Sequence, residues 1–508
     1  MDSRTAPESF DPQRSFAGDA LVRAVHAAAQ RAQETGHDTV LRVHRPLHVD
    51  PFEGGQGAML SRGEQGPVFT WSDPRDGLDF TAMGVVARTT PRGRRRFEVA
   101  QQVCTAWRRS TVEAAAWGYG TPAEDLPMAV MWFAFADEVS GHSMWRRWPR
   151  AEVILPRRVL YRRRGHHGPR YGEILTVPVR IDQSTGAVDV EAAIREVTRP
   201  FEPLPEATHE TVGAEPIAPG AMDPHWHTLV EAARAAITSG QMGKVVLARS
   251  IEVQAPEGHG FDPVSTSRAL RGLDPEAVAF GVQGTEGAFI GATPEVLFRA
   301  RERWLSTHAL AGTAPLGETA EQASDLGRGL MASAKDRHEH ALVVDALVNA
   351  LGPYCESVEA APRPRLRRSG KVQHLETPVS GRLAAGASLI SLLGRMHPTP
   401  ALGGVPRGAA LKWLATHEGW DRGPYGGPVG WVAPSGDAAF AVAIRSALLQ
   451  GPQASLFVGA GLVADSEAAG EWQETAMKAR TVGEALRLRP LKAHVSDTPE
   501  DDAEVSDG

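Results

Sequence analysis

Two short segments of this chain each carry two acidic residues at a spacing that places them on one side of a helix. Asp336 and Glu339 lie three residues apart in KDRHEH, and Glu471 and Glu474 are spaced alike in EWQET. Residues i and i+3 share a helix face, so each segment presents two neighbouring carboxylates. Four acids at one site would repel one another unless a cation lay between them, and oxygen ligands suit Mg2+. If the segments meet, the sequence predicts a magnesium-dependent enzyme.

A lysine and a glutamate stand out inside apolar or glycine-rich sequence. Lys244 opens the strand-like segment KVVLARSIEV, and Glu295 ends IGATPE. Taken singly, Lys244 fits a lysine at a strand end with its head in water, and Glu295 a solvated turn acid. Together they make an acid/base pair. Lys244 would have to be neutral to act as a base and Glu295 protonated to act as an acid, which requires opposite environments.

Composition limits the class of protein. The chain has 508 residues, 42% of them hydrophobic, which allows one large domain or two to three ordinary ones. The net charge of -7 provides no basic field, so neither nucleic acid nor an anionic membrane is expected as the principal partner. Cys104 and Cys355 form no CxxC pattern, and the longest strongly apolar run, Met128 to Ala136, is too short for a bilayer. We expect a soluble, cytoplasmic protein.

The chain divides by composition into two tails and a folded body. Residues 1–15 are polar and residues 489–508 are acidic, so both are predicted to be disordered. Residues 16–488 form the body between them, which the resemblance described below implies to be a single catalytic domain. A proline-rich stretch from Pro200 to Gly220 separates residues 16–224, which have few motifs, from residues 225–488, which have many. This stretch is predicted to be a linker or a long surface connection.

Hydrophobic periodicity predicts a mixture of strands and helices. In the first half, short strands surround a helix predicted from Val99 to Trp117. In the second half, the pattern predicts one helix over Leu326 to Leu351, one strand over AAFAVAIRSALL and a helix over Glu471 to Leu486. Hairpin-like strand order mixed with long helices favours an α+β fold over a doubly wound parallel sheet.

Three familiar motifs are incomplete. SGQMGKV resembles a phosphate-binding loop, but Thr238 stands in place of its first glycine and Val245 in place of its serine or threonine. GAGLVAD at Gly459 lacks the third glycine and the following helix of a dinucleotide-binding fold. His338 and His340 flank an acid without forming HExxH, so a zinc site is not predicted and one of them is expected to be structural.

Eight segments, in their order along the chain, resemble the signature segments of the chorismate-utilising enzymes. They are GKVVLAR, GATPEVLF, LAGTA, KDRHEHALVVDAL, VQHLETPVSG, HPTPALGGVPR, GPYGGPVGW and EWQETAMK. The resemblance is dense over about residues 225 to 488 and looser before them, and within the family it is strongest to the isochorismate synthases. It implies an α+β fold: a single domain of two layered, mainly antiparallel sheets flanked by helices, with Pro200 to Gly220 as a surface connection.

The resemblance also implies an activity. Family members of this kind convert chorismate reversibly to isochorismate with Mg2+, water adding at C2 as the C4 hydroxyl departs. By motif position, Lys244 matches the base and Glu295 the acid. Glu339 and Glu474 match the metal ligands, and Asp336 and Glu471 match supporting acids. The positions that match substrate contacts are Gly312, Thr313, His374, Ala401, Leu402, Tyr425, Arg445, Gly459 and Lys478.

Other members of the family provide the alternatives. A salicylate synthase would follow isochorismate formation with pyruvate elimination, but such enzymes tend to carry a hydroxyl residue where this chain has Ala401. Ammonia-using members carry an amidotransferase partner and a different segment in place of HPTPALGG, so no amidotransferase subunit is expected for this chain. We expect the protein to be a monomer. A chorismate-binding protein without catalysis is disfavoured because every inferred catalytic position is filled. Menaquinone, siderophore and salicylate pathways all remain open for the product.

Overall fold

The computed structural model describes residues 12–47, 50–52, 67–115, 125–138, 143–165, 168–199, 215–216, 222–284, 286–369 and 372–486. Of the two predicted tails, residues 1–11 and 489–508 lie outside this set, whereas residues 12–15 belong to the first helix. The folded part therefore begins before residue 16. Only Glu215–Pro216 of the proline-rich stretch is described, and these two residues pair with the end of the strand that Lys244 opens.

Ten α-helices occur in the described residues. They are α1 Pro12–Thr35, α2 Arg96–Ser110, α3 Val190–Val197, α4 Pro224–Thr238, α5 Pro263–Leu273, α6 Ala320–Ala332, α7 Ala334–Leu351, α8 Leu389–Met396, α9 Arg407–His417 and α10 Ala468–Ala485. Of these helices, none combines the length and the apolar character that crossing a bilayer requires.

Twenty-one strands form one hydrogen-bonded network in the described chain. They are β1 Thr39–Leu47, β2 Pro67–Asp73, β3 Leu78–Thr89, β4 Thr111–Ala115, β5 Ala129–Phe133, β6 Ala151–Gly165, β7 Gly168–Val179, β8 Glu215–Pro216, β9 Lys244–Gln254, β10 Val278–Gly284, β11 Gly287–Thr293, β12 Val296–Arg301, β13 Trp304–Pro315, β14 Cys355–Ala360, β15 Arg365–Ser369, β16 Val372–Leu383, β17 Gly404–Val405, β18 Pro428–Val432, β19 Ala438–Val442, β20 Ser446–Gln450 and β21 Gln453–Leu462. The described pairings are antiparallel except for β1 with β4.

The two expected layers are limbs of one sheet that separate at β6. One edge of β6 pairs with β3, and from there the strand order continues through β2, β10, β11, β20, β21 and β9. The other edge of β6 pairs first with β5, which leads through β18, β19, β12 and β13 to β16. An aromatic core fills the space between the limbs, where Phe80 of β3 meets Trp431 of β18 edge-on at 6.2 Å. The expected α+β fold is confirmed.

Three predicted elements differ in extent. The helix predicted to reach Trp117 ends at Ser110, because the next residues form β4 and pair with β1. The helix predicted over Leu326 to Leu351 is two helices, since Ser333 caps the start of α7 by accepting a hydrogen bond from the Asp336 N–H. The strand predicted over AAFAVAIRSALL breaks at Arg445, whose φ of 50° is left-handed. Two of these breaks shape the site described next.

Candidate functional site

A cavity of about 320 Å3 lies between α7, α10 and the strands β9, β13 and β21. All fifteen residues that the sequence singled out line it, although they come from segments spread over more than two hundred residues. They are Lys244, Glu295, Gly312, Thr313, Asp336, Glu339, His374, Ala401, Leu402, Tyr425, Arg445, Gly459, Glu471, Glu474 and Lys478. The two acidic segments therefore meet at one site.

Helix α7 forms one wall of this cavity. The Ser333 cap starts the helix so that Asp336 lies in its first turn and Glu339 one turn further on. The Lys244 ammonium, at the start of β9, donates a hydrogen bond to the Glu339 carboxylate. The next residue of α7, buried His340, bonds the Thr377 hydroxyl through Nε2 at 2.7 Å, which is consistent with the expectation that one histidine of this segment is structural.

Helix α10 forms the facing wall. Lys478 pairs with Glu474 at 2.6 Å and also donates to the Gly459 carbonyl of β21 at 2.9 Å, so this lysine joins helix to sheet. Burial raises the pKa of Glu471, while a hydrogen bond from the Ser466 side chain opposes that rise. Each acidic helix thus brings two carboxylates to the cavity, and one carboxylate on each helix is held by a lysine.

Glu295 lies in a different environment, in the connection from β11 to β12. Its main-chain carbonyl accepts a hydrogen bond from Val442 at 3.0 Å, which anchors it to β19. Its carboxylate accepts a hydrogen bond from the neutral Thr399 hydroxyl at 3.1 Å. Burial raises the pKa of Glu295 to about 7, against the opposing effects of Thr399, Lys244 and Lys478. Near neutral pH both the protonated and the ionised form of this carboxyl are therefore populated.

Arg445 supplies a cation without a bound anion. Its left-handed backbone places its carbonyl to accept a hydrogen bond from Ala292 at 3.1 Å, so the kink between β19 and β20 is held by β11. In the described part of the chain, no carboxylate forms an ion pair or hydrogen bond with its guanidinium. Burial lowers the pKa of Arg445, but an arginine keeps its charge near neutrality. The side chain is suited to receiving an anionic group from a ligand.

His374 and Tyr425 contribute neutral polar groups. His374 Nδ1 lies 3.0 Å from Thr313 Oγ1 and 3.3 Å from the Gly312 carbonyl. Burial lowers the pKa of His374 to about 3, so the ring is neutral. Its Nε2 is buried and has no hydrogen-bond partner among the described residues. Burial also raises the pKa of the Tyr425 hydroxyl, which therefore keeps its proton.

Two of the predicted glycines leave room for these groups. Gly312 has φ 73°, and a Cβ there would lie 3.2 Å from the Asp336 Cβ. A Cβ at Gly459 would lie 3.0 Å from the Leu247 carbonyl and 3.1 Å from the Tyr425 hydroxyl. Larger residues at either position would therefore crowd the wall of the cavity.

The four acids provide oxygen donors of the kind that Mg2+ prefers. In the described residues, no three His, Cys, Asp or Glu side chains lie close enough to hold a metal ion by themselves. Mg2+ is usually bound through one or two carboxylates, with waters and substrate oxygens completing its shell. Glu339 and Glu474, which line the same cavity from two helices, fit that pattern. These donors suit a magnesium ion whose remaining ligands come from water and from a bound anion.

Several lining residues were missed in the sequence. They are Val246, Pro294, Leu310, Ala311, Lys335, Ile444, Phe457, Val458, Gly461, Val463 and Ser466. A signal was present for some of them, because the alternate positions Phe457, Gly459 and Gly461 of β21 all line the cavity. Strand side chains alternate between faces, so choosing Gly459 as a site residue already implied its neighbours two positions away.

Comparison with known proteins places this site in a family. A family model described as chorismate binding enzyme matches residues 26–487. A Pseudomonas aeruginosa protein, salicylate biosynthesis isochorismate synthase, is 34% identical over 470 residues, covering 92% of this chain and 94% of that protein. Isochorismate synthase MenF of Bacillus subtilis is 29% identical over 93% of this chain and 98% of its own length. The chain belongs to the family of chorismate-binding enzymes.

A solved structure agrees with the assignment. The menaquinone-specific isochorismate synthase MenF from Escherichia coli superposes with a TM-score of 0.70 and 25% identity, covering 92% of this chain and all of that one. The similarity thus includes the motif-poor first half of the chain as well as the segments that line the cavity. One continuous architecture accounts for both halves.

Proposed function

We propose that this protein is an isochorismate synthase, which converts chorismate reversibly to isochorismate. Water adds at C2 and the hydroxyl at C4 leaves. The observation that carries the proposal is the content of one cavity: the Lys244 amine, a Glu295 carboxyl with a pKa of about 7, and Arg445, whose guanidinium forms no ion pair in the described chain, although Asp274 and Glu474 are near enough to act on its charge. Lys244 can serve as a base, Glu295 as an acid and Arg445 as an anion receptor. The names of the similar proteins support the same reaction.

Glu295 acts as the general acid. Its protonated carboxyl donates to the oxygen that leaves C4, and burial of this carboxyl supplies the protonated form near neutral pH. The Thr399 hydroxyl, 3.1 Å away, orients it. As the pH rises through about 7 the protonated fraction falls, so turnover should decline on the alkaline side.

Lys244 acts as the general base. In its neutral form, Nζ takes the proton of the water whose oxygen bonds to C2. The lysine side chain lies against Gly461, where a Cβ would lie 3.0 Å from its Cε, so glycine there leaves the side chain room to reach the cavity. Its position at the start of β9 fixes its main chain, because β9 pairs with β17 and β21 on its two edges.

Cationic and neutral donors hold the substrate. Arg445 offers a planar fork and Lys478 a point charge to a carboxylate of the dianionic substrate. Neutral His374 and Tyr425 bind its polar oxygens. The remaining contacts are proposed for Gly312, Thr313, Ala401, Leu402 and Gly459.

Glu339 and Glu474 would hold Mg2+, with Asp336 and Glu471 supporting it through water. When bound, the ion supplies an anchor for a substrate carboxylate and Lewis-acid polarisation of it. The chain's own part is to bring the two helices to one cavity, where Lys478 pairs with Glu474 and Lys244 donates a hydrogen bond to Glu339.

We further propose that the enzyme is a cytoplasmic monomer that works without an amidotransferase subunit. Its catalytic unit is the single domain of residues 16–488, extended at its start by the first residues of α1.

The test is to incubate the purified protein with chorismate in Mg2+ and, separately, in EDTA, and to resolve the products by chromatography. We expect isochorismate with Mg2+, none with EDTA, and no pyruvate. Salicylate with pyruvate would replace the proposal with a salicylate synthase. Absence of any product under both conditions would reject an enzymatic role in favour of chorismate binding.

A further inference from the structure

A second cavity, of about 790 Å3, lies on the far side of the loop that carries Thr399. It opens between the start of α2, the end of α8, helix α9 and the chain that follows β5. Its apolar surface comes from side chains that include Phe97, Phe135, Pro398, Leu411 and Leu414. This volume lies in the range of cavities that bind small organic molecules.

Cations line this second cavity without tight anionic partners. In the described chain, the side chains of Arg94 and Lys412 form neither an ion pair nor a hydrogen bond. Arg96 is buried, its ion pair with Asp137 is long at 3.9 Å, and its Nε has no hydrogen-bond partner among the described residues. Arg407 bonds a main-chain carbonyl, that of Arg395, at 2.8 Å. The Arg94 and Lys412 side chains are thus free to meet an added anion, while Arg96, which also donates to the Ala134 carbonyl at 3.3 Å, and Arg407 add positive charge without a close anionic partner.

The acids on the same surface do not cancel this charge. Glu418 is held by Arg422 at 2.6 Å, and Asp421 is held by Arg150. Both pairs are buried, which leaves Asp137 and the exposed Glu138 as the remaining acids of the lining. Four cations, Arg94, Arg96, Arg407 and Lys412, against these two acids leave an excess of positive charge beside an apolar surface. That combination suits a ligand with a carboxylate on a ring.

One short loop separates this cavity from the catalytic one. Pro398 lines the second cavity, Thr399 donates to the proposed acid Glu295, and Leu402 lines the catalytic cavity. Arg422, in the second cavity, donates to the Leu402 carbonyl at 2.9 Å and to the Val246 carbonyl at 2.6 Å. A displacement of this loop would therefore reach the hydrogen bond that orients Glu295.

We propose that the second cavity is a regulatory binding site for a small ring-bearing carboxylate. Its ligand places the ring against Phe97 and Leu414 and its carboxylate among Arg94, Arg96 and Lys412. Binding shifts the 398–402 loop and changes the orientation of Glu295. The effect on turnover rests on the proposed function, whereas the binding itself does not.

Benzoate is the probe, and benzamide of the same shape without the charge is its control. Calorimetry on the full chain carrying Arg445→Gln, or Lys478→Gln if that variant misfolds, removes binding at the catalytic cavity. We expect one benzoate site, no benzamide binding, and about tenfold weaker binding when Arg94→Gln and Lys412→Gln are added, from lost hydrogen bonds to charged groups. Arg95→Gln is the matched control, because exposed Arg95 pairs with Glu98 and lies outside the lining.

Benzoate affinity unchanged by Arg94→Gln with Lys412→Gln, or no binding at all, would overturn the site. In turnover assays with otherwise unchanged protein, benzoate should lower kcat at saturating chorismate. Purely competitive inhibition would overturn the regulatory coupling. If chorismate is not turned over at all, the proposed function fails, and calorimetry still decides whether the second cavity binds the carboxylate.

Discussion

Glu295 and Glu339 are the same kind of side chain in the wall of one cavity, yet their surroundings are opposite. Glu339, on α7, accepts a hydrogen bond from the Lys244 ammonium. Glu295, between β11 and β12, accepts one from the neutral Thr399 hydroxyl, and burial raises its pKa to about 7. Burial favours the protonated form of the Glu295 carboxyl, whereas the lysine beside Glu339 favours its ionised form.

This contrast shows that environment, and not residue type, separates the acid from the metal ligand. In a carboxyl that donates a proton near neutral pH, the effect of burial must exceed that of nearby cations, as it does for Glu295 despite Lys244 and Lys478. A carboxylate that binds a hard cation must keep its charge, for which a lysine neighbour is suitable. Both environments occur in about 320 Å3, because the strands bring an uncharged loop and a charged helix to the same space.

The largest expected effect follows from removing the transferable proton of Glu295. Glu295→Gln keeps the shape and the hydrogen bond to Thr399 but removes the transferable proton. Turnover of chorismate should fall by about 10²–10⁴-fold, a typical contribution of general acid catalysis, while chorismate binding persists. Turnover assays with calorimetry of chorismate binding measure the two effects. Glu302→Gln, outside the cavity lining, is the control, and a Glu295→Gln enzyme within threefold of wild type would reject the acid.

Substitution of Glu339 or Glu474 should instead change the dependence of turnover on Mg2+. Glu339→Gln and Glu474→Gln each remove one anionic oxygen donor, so the Mg2+ concentration for half-maximal activity should rise and maximal turnover should fall by about 100-fold. A Mg2+ titration of chorismate turnover measures both. Asp465→Asn is the matched control, because this exposed acid pairs with Lys335 at the cavity rim. If either glutamine variant keeps a wild-type Mg2+ titration, that residue is not a ligand.

The contrast between the two glutamates was only partly readable in the sequence. The i, i+3 spacing of Asp336 and Glu339 is a local property of a helix, so the paired carboxylates could be predicted directly. The meeting of α7 with α10 depends on the whole sheet, and that expectation came from the resemblance to a family. The pKa of Glu295 depends on burial by segments distant in sequence, which no local pattern encodes.

The breaks in regular structure show the same limit. The apolar run AAFAVAIRSALL has the composition of one strand, and its kink at Arg445 is stabilised by a hydrogen bond from Ala292, in another part of the chain. The break before α7 was different, because Ser333 with Asp336 three residues later is a recognisable N-terminal capping pattern. Local chemistry could have revealed the second break, whereas the first required tertiary structure.

Burial of the Glu295 carboxyl should also lower the stability of the folded protein at high pH. Its pKa is about 7 in the folded state against 4.5 as the ordinary value, so the folded state binds the proton more tightly. The cost is absent below pH 4.5 and develops as the pH rises to 7, reaching about 3 kcal/mol. Glu295→Gln should therefore raise the free energy of unfolding by up to about 3 kcal/mol at pH 8 and much less at pH 5.

Urea unfolding in EDTA at the two pH values measures this difference without a stabilising metal. Glu302→Gln again serves as the control and should show no such pH-dependent gain. An equal effect of Glu295→Gln at pH 5 and pH 8 would mean that Glu295 ionises normally in the folded protein. The contrast with Glu339 would then rest on the lysine alone.

The smallest expected effect comes from crowding Lys244, the lysine that donates a hydrogen bond to Glu339. In Gly461→Ala, the new Cβ would lie 3.0 Å from the Lys244 Cε and 3.4 Å from its Nζ. The lysine can move by a few tenths of an ångström, so turnover should fall by about tenfold or less, corresponding to roughly 1 kcal/mol. Gly470→Ala, where a Cβ on α10 meets nothing within 4 Å, is the matched control. Steady-state assays of both variants measure the effect, and equal turnover in the two would show that Lys244 has more freedom at the cavity than its contacts indicate.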